Sequence, residues 1–181
     1  MNLCLGTVQF GLNYGIEKKR IDANKITEIL ITALKNKIVM LDTAQNYGNS
    51  EKLIGNFEKR DSFKIISKIS SSSLNNMNDL EELRNLLQTS LNNLNISSLD
   101  GLLLHKPEDL KNSKLLDNLN ILKEKGYFLN LGVSVYSPDE ANMALGLENI
   151  KYIQVPYNIL DTRLDKIDFL KRQRVKIKLY L

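Results

Sequence analysis

Four polar residues in the first 105 positions could do chemistry together: Asp42, Tyr47, Lys68 and His105. Asp42 follows the apolar run 38–41, and Tyr47 lies five residues further on, in the segment 43–48. Lys68 closes the run 65–67, and His105 closes the run 102–104. Each therefore sits at or just beyond the C-terminal end of a predicted strand. In a parallel barrel that end of the sheet is where chemistry is assembled. A tyrosine, a lysine, an aspartate and a histidine gathered there can protonate a carbonyl oxygen, because negative charge developing on oxygen needs donors already in place. Taken singly, each has a plainer reading. The tyrosine can be a surface residue, the aspartate a cap, the lysine a solvated strand end. His105 can bond the Lys106-Pro107 turn. Their common placement on successive strands favours a shared task.

The elements that must position these residues alternate along the chain. Strands are predicted at 3–6, 38–41, 64–68, 99–104, 129–133, 152–155 and 175–180. Between them the apolar residues recur at helical spacing. Asp22 or Asn24 caps a helix carrying Ile26, Ile29, Leu30, Ala33 and Leu34, and Ser50-Glu51 opens a short one. Asn78 or Asp79 starts the clearest helix, with Leu80, Leu83, Leu86, Leu87, Leu91 and Leu94 as its stripe. Further helices are predicted at 114–125, from the Ser137-Pro138-Asp139-Glu140 start, and over 164–173. The glycine-punctuated segment 6–11 and the serine run 70–73 read as loops. This order gives an α/β fold with a parallel sheet. Gly6 and Gly11 lack the G-x-G-x-x-G spacing of a doubly wound dinucleotide fold. An incomplete (β/α)8 TIM-barrel type fits better, with about seven strands and six helices and without the last strand and helices.

Composition bounds the rest. The 181 residues, 43% hydrophobic and 25% charged, suit one soluble domain spanning 1–181. A net charge of +4 with interleaved acids and bases gives solvated helix faces, so no nucleic-acid partner is expected. No run approaches the ~20 apolar residues that span a bilayer, and no basic-then-apolar leader opens the chain. No membrane association and a cytoplasmic location are the resulting expectations. Cys4, the single cysteine, reads as a small buried hydrophobe. One histidine and one cysteine exclude the usual transition-metal clusters.

Several segments together resemble a known family. Leu5-Gly6-Thr7-Val8-Gln9-Phe10-Gly11 and Leu41-Asp42-Thr43-Ala44-Gln45-Asn46-Tyr47-Gly48 resemble the opening of the aldo-keto reductases. Ser67-Lys68, Leu104-His105, Leu131-Gly132-Val133-Ser134 and Gln154-Val155-Pro156-Tyr157-Asn158 follow in the family's order. The resemblance implies reduction of an aldehyde or ketone of a small molecule with NADPH or NADH. It makes Tyr47 the general acid, with Lys68 easing proton loss from a phenol whose free pKa is about 10. Asp42 would hold the ammonium, and His105 would orient the carbonyl or share the proton transfer. Thr7 and Asp42 match places near the nicotinamide ribose, and Ser134 and Gln154 match the pair that binds the carboxamide. Val135 stands where the family often has Asn, which removes one amide contact.

The resemblance stops near residue 158, and no eighth strand is predicted. The expectation is a C-terminally truncated member. Phosphate contacts supplied by a later helix N-terminus would be missing, leaving cofactor affinity weak. Bare barrel edges would allow self-association. A non-catalytic binding or regulatory protein, or an inactive remnant on the same scaffold, remains the alternative to the enzyme.

Overall fold

Apolar residues two apart make strands here, and those three or four apart make the helices that cover them. The computed structural model describes residues 3–15, 21–76, 78–167 and 178–180. Its strands are β1 (Leu5–Gly6), β2 (Met40–Asp42), β3 (Lys64–Ile69), β4 (Leu99–Leu104), β5 (Phe128–Ser134), β6 (Ile150–Gln154) and β7 (Lys178–Tyr180). The helices are α1 (Val8–Gly11), α2 (Ala23–Lys35), α3 (Ser50–Gly55), α4 (Leu80–Leu94), α5 (Ser113–Glu124) and α6 (Pro138–Leu145). All seven strands are parallel, and their spatial order is their chain order. A doubly wound sheet reverses its order near the middle; this one winds in one direction, as an incomplete (β/α)8 barrel does.

Some boundaries differ from the sequence expectation. The 6–11 segment contains α1, a single turn started by Thr7 and ended by the extended Leu12. The serine run forms a 3-10 turn at Ser71–Ser73. β2 begins at Met40, because residues 36–38 still close the end of α2: Ile38 N–H donates to Ala33 O at 2.9 Å. Of the helix expected over 164–173, the described part is the 3-10 segment Arg163–Ile167, and 168–173 lie outside the described residues, as do 175–177 of the last strand.

The helix starts are chemically explicit. Asp22 caps α2 by accepting from Lys25 N–H, and Asp79 caps α4 by accepting from Glu81 and Glu82 N–H. Ser137 and Glu140 form a full capping box on α6, with Pro138 in the first turn. Each such cap stabilises its helix by about 1 kcal/mol. No helix among the described residues is long and apolar enough to cross a membrane.

The two faces of the sheet carry different residues. Leu41, Ile65, Ile69, Leu102, Leu104, Leu131, Val133 and Ile153 point to the helices, where they meet Leu30, Ile54, Leu83, Leu87, Leu119 and Ala144 in the main core. Each fully buried leucine contributes about 1.5–3 kcal/mol. The inner face has a smaller cluster, Met40, Ile66, Leu103 and Tyr152, with Cys4 against it. Room for the Tyr152 ring comes from two glycines. A Cβ on Gly101 would lie 2.6 Å from the ring, and one on Gly132 would overlap the Leu103 side chain and the Tyr152 carbonyl. Tyr152 thus floors the barrel interior. Burial, then the charge of Asp42, pushes the Cys4 thiol up to about 12, so it stays protonated beside that floor.

Candidate active site

The period of two that puts Met40, Ile66 and Leu103 on the inner face also puts Asp42, Lys68 and His105 there, one step nearer the C-terminal ends. The same alternation brings Ser134 and Gln154 inward, and they are register partners on β5 and β6. Tyr47 arrives from the loop between β2 and α3. The structure therefore gathers Asp42, Tyr47, Lys68 and His105 at one end of the curled sheet, with Ser134 and Gln154 on the far wall. Val135 faces the helices and is fully buried in the main core.

Lys68 organises the centre. Its side chain is 2% exposed. An ammonium has three hydrogens to donate, and all are committed. Nζ donates to Asp42 at 2.7 Å (Oδ1) and 2.8 Å (Oδ2), to the Thr43 carbonyl at 3.1 Å and to the Tyr47 hydroxyl at 3.3 Å. A buried ammonium needs such a carboxylate partner to offset its lost hydration. Because the phenol oxygen accepts from Lys68, its own O–H is left to point elsewhere. Nζ also lies 4.9 Å from the centre of the Tyr47 ring.

The loop carrying Tyr47 is pinned from two sides. On one, α1 abuts it: a Cβ on Gly11 would overlap the Tyr47 carbonyl and lie 2.8 Å from Ser50 N. Gly48, at φ +57°, would place a Cβ 2.5 Å from Gly11 O. Only two glycines permit this approach. A chain of hydroxyls then ties the ends of the first two strands to the start of α3. Thr7 Oγ1 donates to Asp42 O at 3.0 Å, Ser50 Oγ to Thr7 Oγ1 at 2.9 Å, and Thr43 Oγ1 to Ser50 Oγ at 3.1 Å. Thr7 is fully buried within this chain. It braces the backbone of Asp42.

On the other side stands a carboxyl that sequence reasoning missed. Glu51, 3% exposed, accepts from Ser67 Oγ at 2.7 Å and Ser90 Oγ at 2.9 Å. Gln45 Nε2, in the Tyr47 loop, donates to Ser90 Oγ and to Leu86 O, both at 2.8 Å. One signal was available: Ser90 interrupts the leucine stripe of α4, and Ser67 interrupts an apolar strand.

His105 stands edge-on to Tyr47, with ring centres 6.4 Å apart and planes at 88°. Burial, and then the Lys68 ammonium, hold its imidazole below the ordinary 6.5, with Asp42 opposing. It is therefore neutral near neutral pH. Its Nδ1 is buried with no hydrogen-bond partner among the described residues. These side chains open onto a cleft of about 220 Å³ lined by Tyr47, Lys68, His105, Ser134, Gln154 and an apolar wall of Tyr136, Val155 and Pro156. Chemically, the site offers a phenol proton, a fixed positive charge behind it, a neutral imidazole and a hydroxyl–amide pair opposite. Among the described residues no three His, Cys, Asp or Glu side chains gather to hold a metal ion.

Known proteins with this geometry can be named. A family model described as the Aldo/keto reductase family matches residues 2–176. No curated protein matches the chain. The solved structure of PA4992 from Pseudomonas aeruginosa shares 26% identity at a TM-score of 0.81, covering 98% of this chain and 71% of that one. The thermostable aldo-keto reductase Tm1743, in complex with the inhibitor epalrestat, shares 28% identity at a TM-score of 0.77, over 98% and 66% of the two chains. An aldo-keto reductase from Klebsiella pneumoniae in complex with NADP and acetate shares 18% identity at a TM-score of 0.77, over 98% and 62%, which is a likeness of fold. The chain thus spans 62% to 71% of the length of these proteins.

Proposed function

The chain belongs to the aldo/keto reductase family, and from that premise we propose that it reduces an aldehyde or ketone to an alcohol, with NADPH or NADH as reductant and Tyr47 as proton donor. One observation carries this reading: the Tyr47 phenol oxygen accepts a hydrogen bond from the buried Lys68 ammonium at 3.3 Å, at the edge of a cleft. A phenol held that way keeps its own hydrogen free for a substrate oxygen. The ammonium then stabilises the phenolate left behind. Asp42 holds the Lys68 ammonium in place through two short hydrogen bonds. The neutral His105 lines the same cleft and can donate one hydrogen bond to the carbonyl oxygen, fixing its orientation.

The residues fit a nicotinamide cofactor. Ser134 and Gln154 lie side by side at the ends of β5 and β6, facing the cleft, and together offer the donors and acceptor that complement a carboxamide. When bound, the reduced nicotinamide supplies the hydride. The wall of Tyr136, Val155 and Pro156 suits the apolar part of a small carbonyl compound. Thr7 and Asp42 are assigned to the nicotinamide ribose, with the Thr7 hydroxyl also bracing the Asp42 backbone.

The test is consumption of NADPH or NADH with a generic small aldehyde, wild type against Tyr47→Phe. Turnover is expected in the wild type, with Tyr47→Phe lower by about 10²–10⁴-fold, the range of general acid catalysis. The reading fails if no aldehyde raises consumption above background and Tyr47→Phe changes nothing.

A further inference from the structure

We infer that Glu51 is a positioning residue for the Tyr47–Lys68 pair, holding from behind the sheet two segments that meet at the proton donor. This rests on Tyr47 being that donor. Glu51 touches none of the four side chains in the cleft. It lies on the helix side of the sheet, at the start of α3, three residues after Gly48. From there one oxygen, Oε1, takes hydrogen bonds from two buried hydroxyls of separate elements. Ser67, on β3, immediately precedes Lys68, so gripping Ser67 from outside fixes where Lys68 projects inside. Ser90, on α4, donates to the same oxygen and accepts from Gln45, which belongs to the Tyr47 loop. The second oxygen, Oε2, accepts more distantly from Asn93 Nδ2 at 3.5 Å. Gln45 N–H closes the circuit by donating to the Lys68 carbonyl at 3.2 Å.

A carboxyl suits this place for a specific reason. A hydroxyl that gives its hydrogen to Glu51 presents its lone pairs outward, and Ser90 uses one to receive Gln45. An amide at 51 would turn donors toward Asn93 and hold two serines less firmly, since hydrogen bonds to a charged acceptor are the stronger kind. Ser67 and Ser90 would then relax, and with them the strand register of Lys68 and the seat of the Tyr47 loop. The expected signature is a loss in the chemical step and not in substrate binding.

The experiment uses the full chain and the variants Glu51→Gln, Ser67→Ala and Ser90→Ala. Turnover of a generic aldehyde is expected to fall by about tenfold or more in kcat, with KM changed less than about threefold. An independent readout is the imidazole of His105, the only histidine in the chain, followed by NMR as pH is varied. Lys68, Asp42 and Tyr47 are the titratable groups recorded facing it. If Lys68 withdraws, the His105 midpoint should rise by about half a pH unit. Unchanged kcat and an unchanged midpoint in all three variants would overturn the inference, even if melting temperatures drop. Should Glu51→Gln not fold, the two single-hydroxyl variants decide by the same criteria. If the wild type itself turns over no aldehyde, the reductase reading has failed, and the His105 midpoint still decides the role of Glu51.

Discussion

Lys68 commits its three hydrogens to a carboxylate, a backbone carbonyl and a phenol, so its charge cannot be moved without cost to each. His105 reports that charge. Burial and Lys68 hold its imidazole below the ordinary 6.5 in the folded chain. The unfolded chain therefore takes up the proton at higher pH than the folded one. The resulting stability is complete above about pH 6.5 and is lost as pH falls through that value toward the folded one. The lowered carboxyls of Glu82 and Asp161 act below their ordinary 4.5 and 3.8, outside this window. We expect the melting temperature of the wild type to fall between about pH 7 and pH 5, and that of His105→Gln to fall less. Equal slopes for the two would show that another group carries the dependence.

At the scale of elements, the meeting of α1 with the β2–α3 loop matters most for Tyr47. Gly11 and Gly48 leave no space for a methyl group between these backbones, and Gly48 also has the left-handed conformation. Gly11→Ala and Gly48→Ala should each push the Tyr47 loop outward. Turnover should drop by about tenfold or more, since small displacements of a reacting group cost that much. Stability should fall by about 1–3 kcal/mol in a denaturant melt, as strain of this kind does. Wild-type turnover and melting in both variants would remove the glycines from the account. The elements themselves were largely legible in the sequence. The leucine stripe of α4, the Ser137-Pro138 start of α6 and the apolar strands announce themselves through local periodicity and capping. Asp42, Lys68 and His105 were legible for the same reason, since each lies at or beside the end of a strand whose inward face alternation fixes, and Tyr47 stands in the loop five residues beyond Asp42. Glu51 was not legible, because its meaning lies in Ser67 and Ser90, 16 and 39 positions away. Nor was the turn of Thr7 toward Asp42, a contact across 35 residues. Contacts of that span come from the winding of the chain, which periodicity does not encode.

For the molecule as a whole, winding in one direction grades the sheet. β3, β4 and β5 are six or seven residues long and have neighbours on both sides, whereas β1 has two residues and, among those described, one neighbour. Native-state hydrogen exchange should be slowest in β3–β5 and faster by orders of magnitude in β1, as opening energies follow burial and pairing. Comparable protection in β1 and β4 would contradict this gradient. The inner floor of Met40, Ile66, Leu103 and Tyr152 lies on the side of Lys68 away from the cleft. Water that enters by the cleft reaches the phenol past Tyr136, Val155 and Pro156. On the proposed reading, a proton given up by Tyr47 can be replaced through this same cleft. Recharging the proposed acid and emptying the site would then share one opening, so a slowly leaving alcohol would delay both.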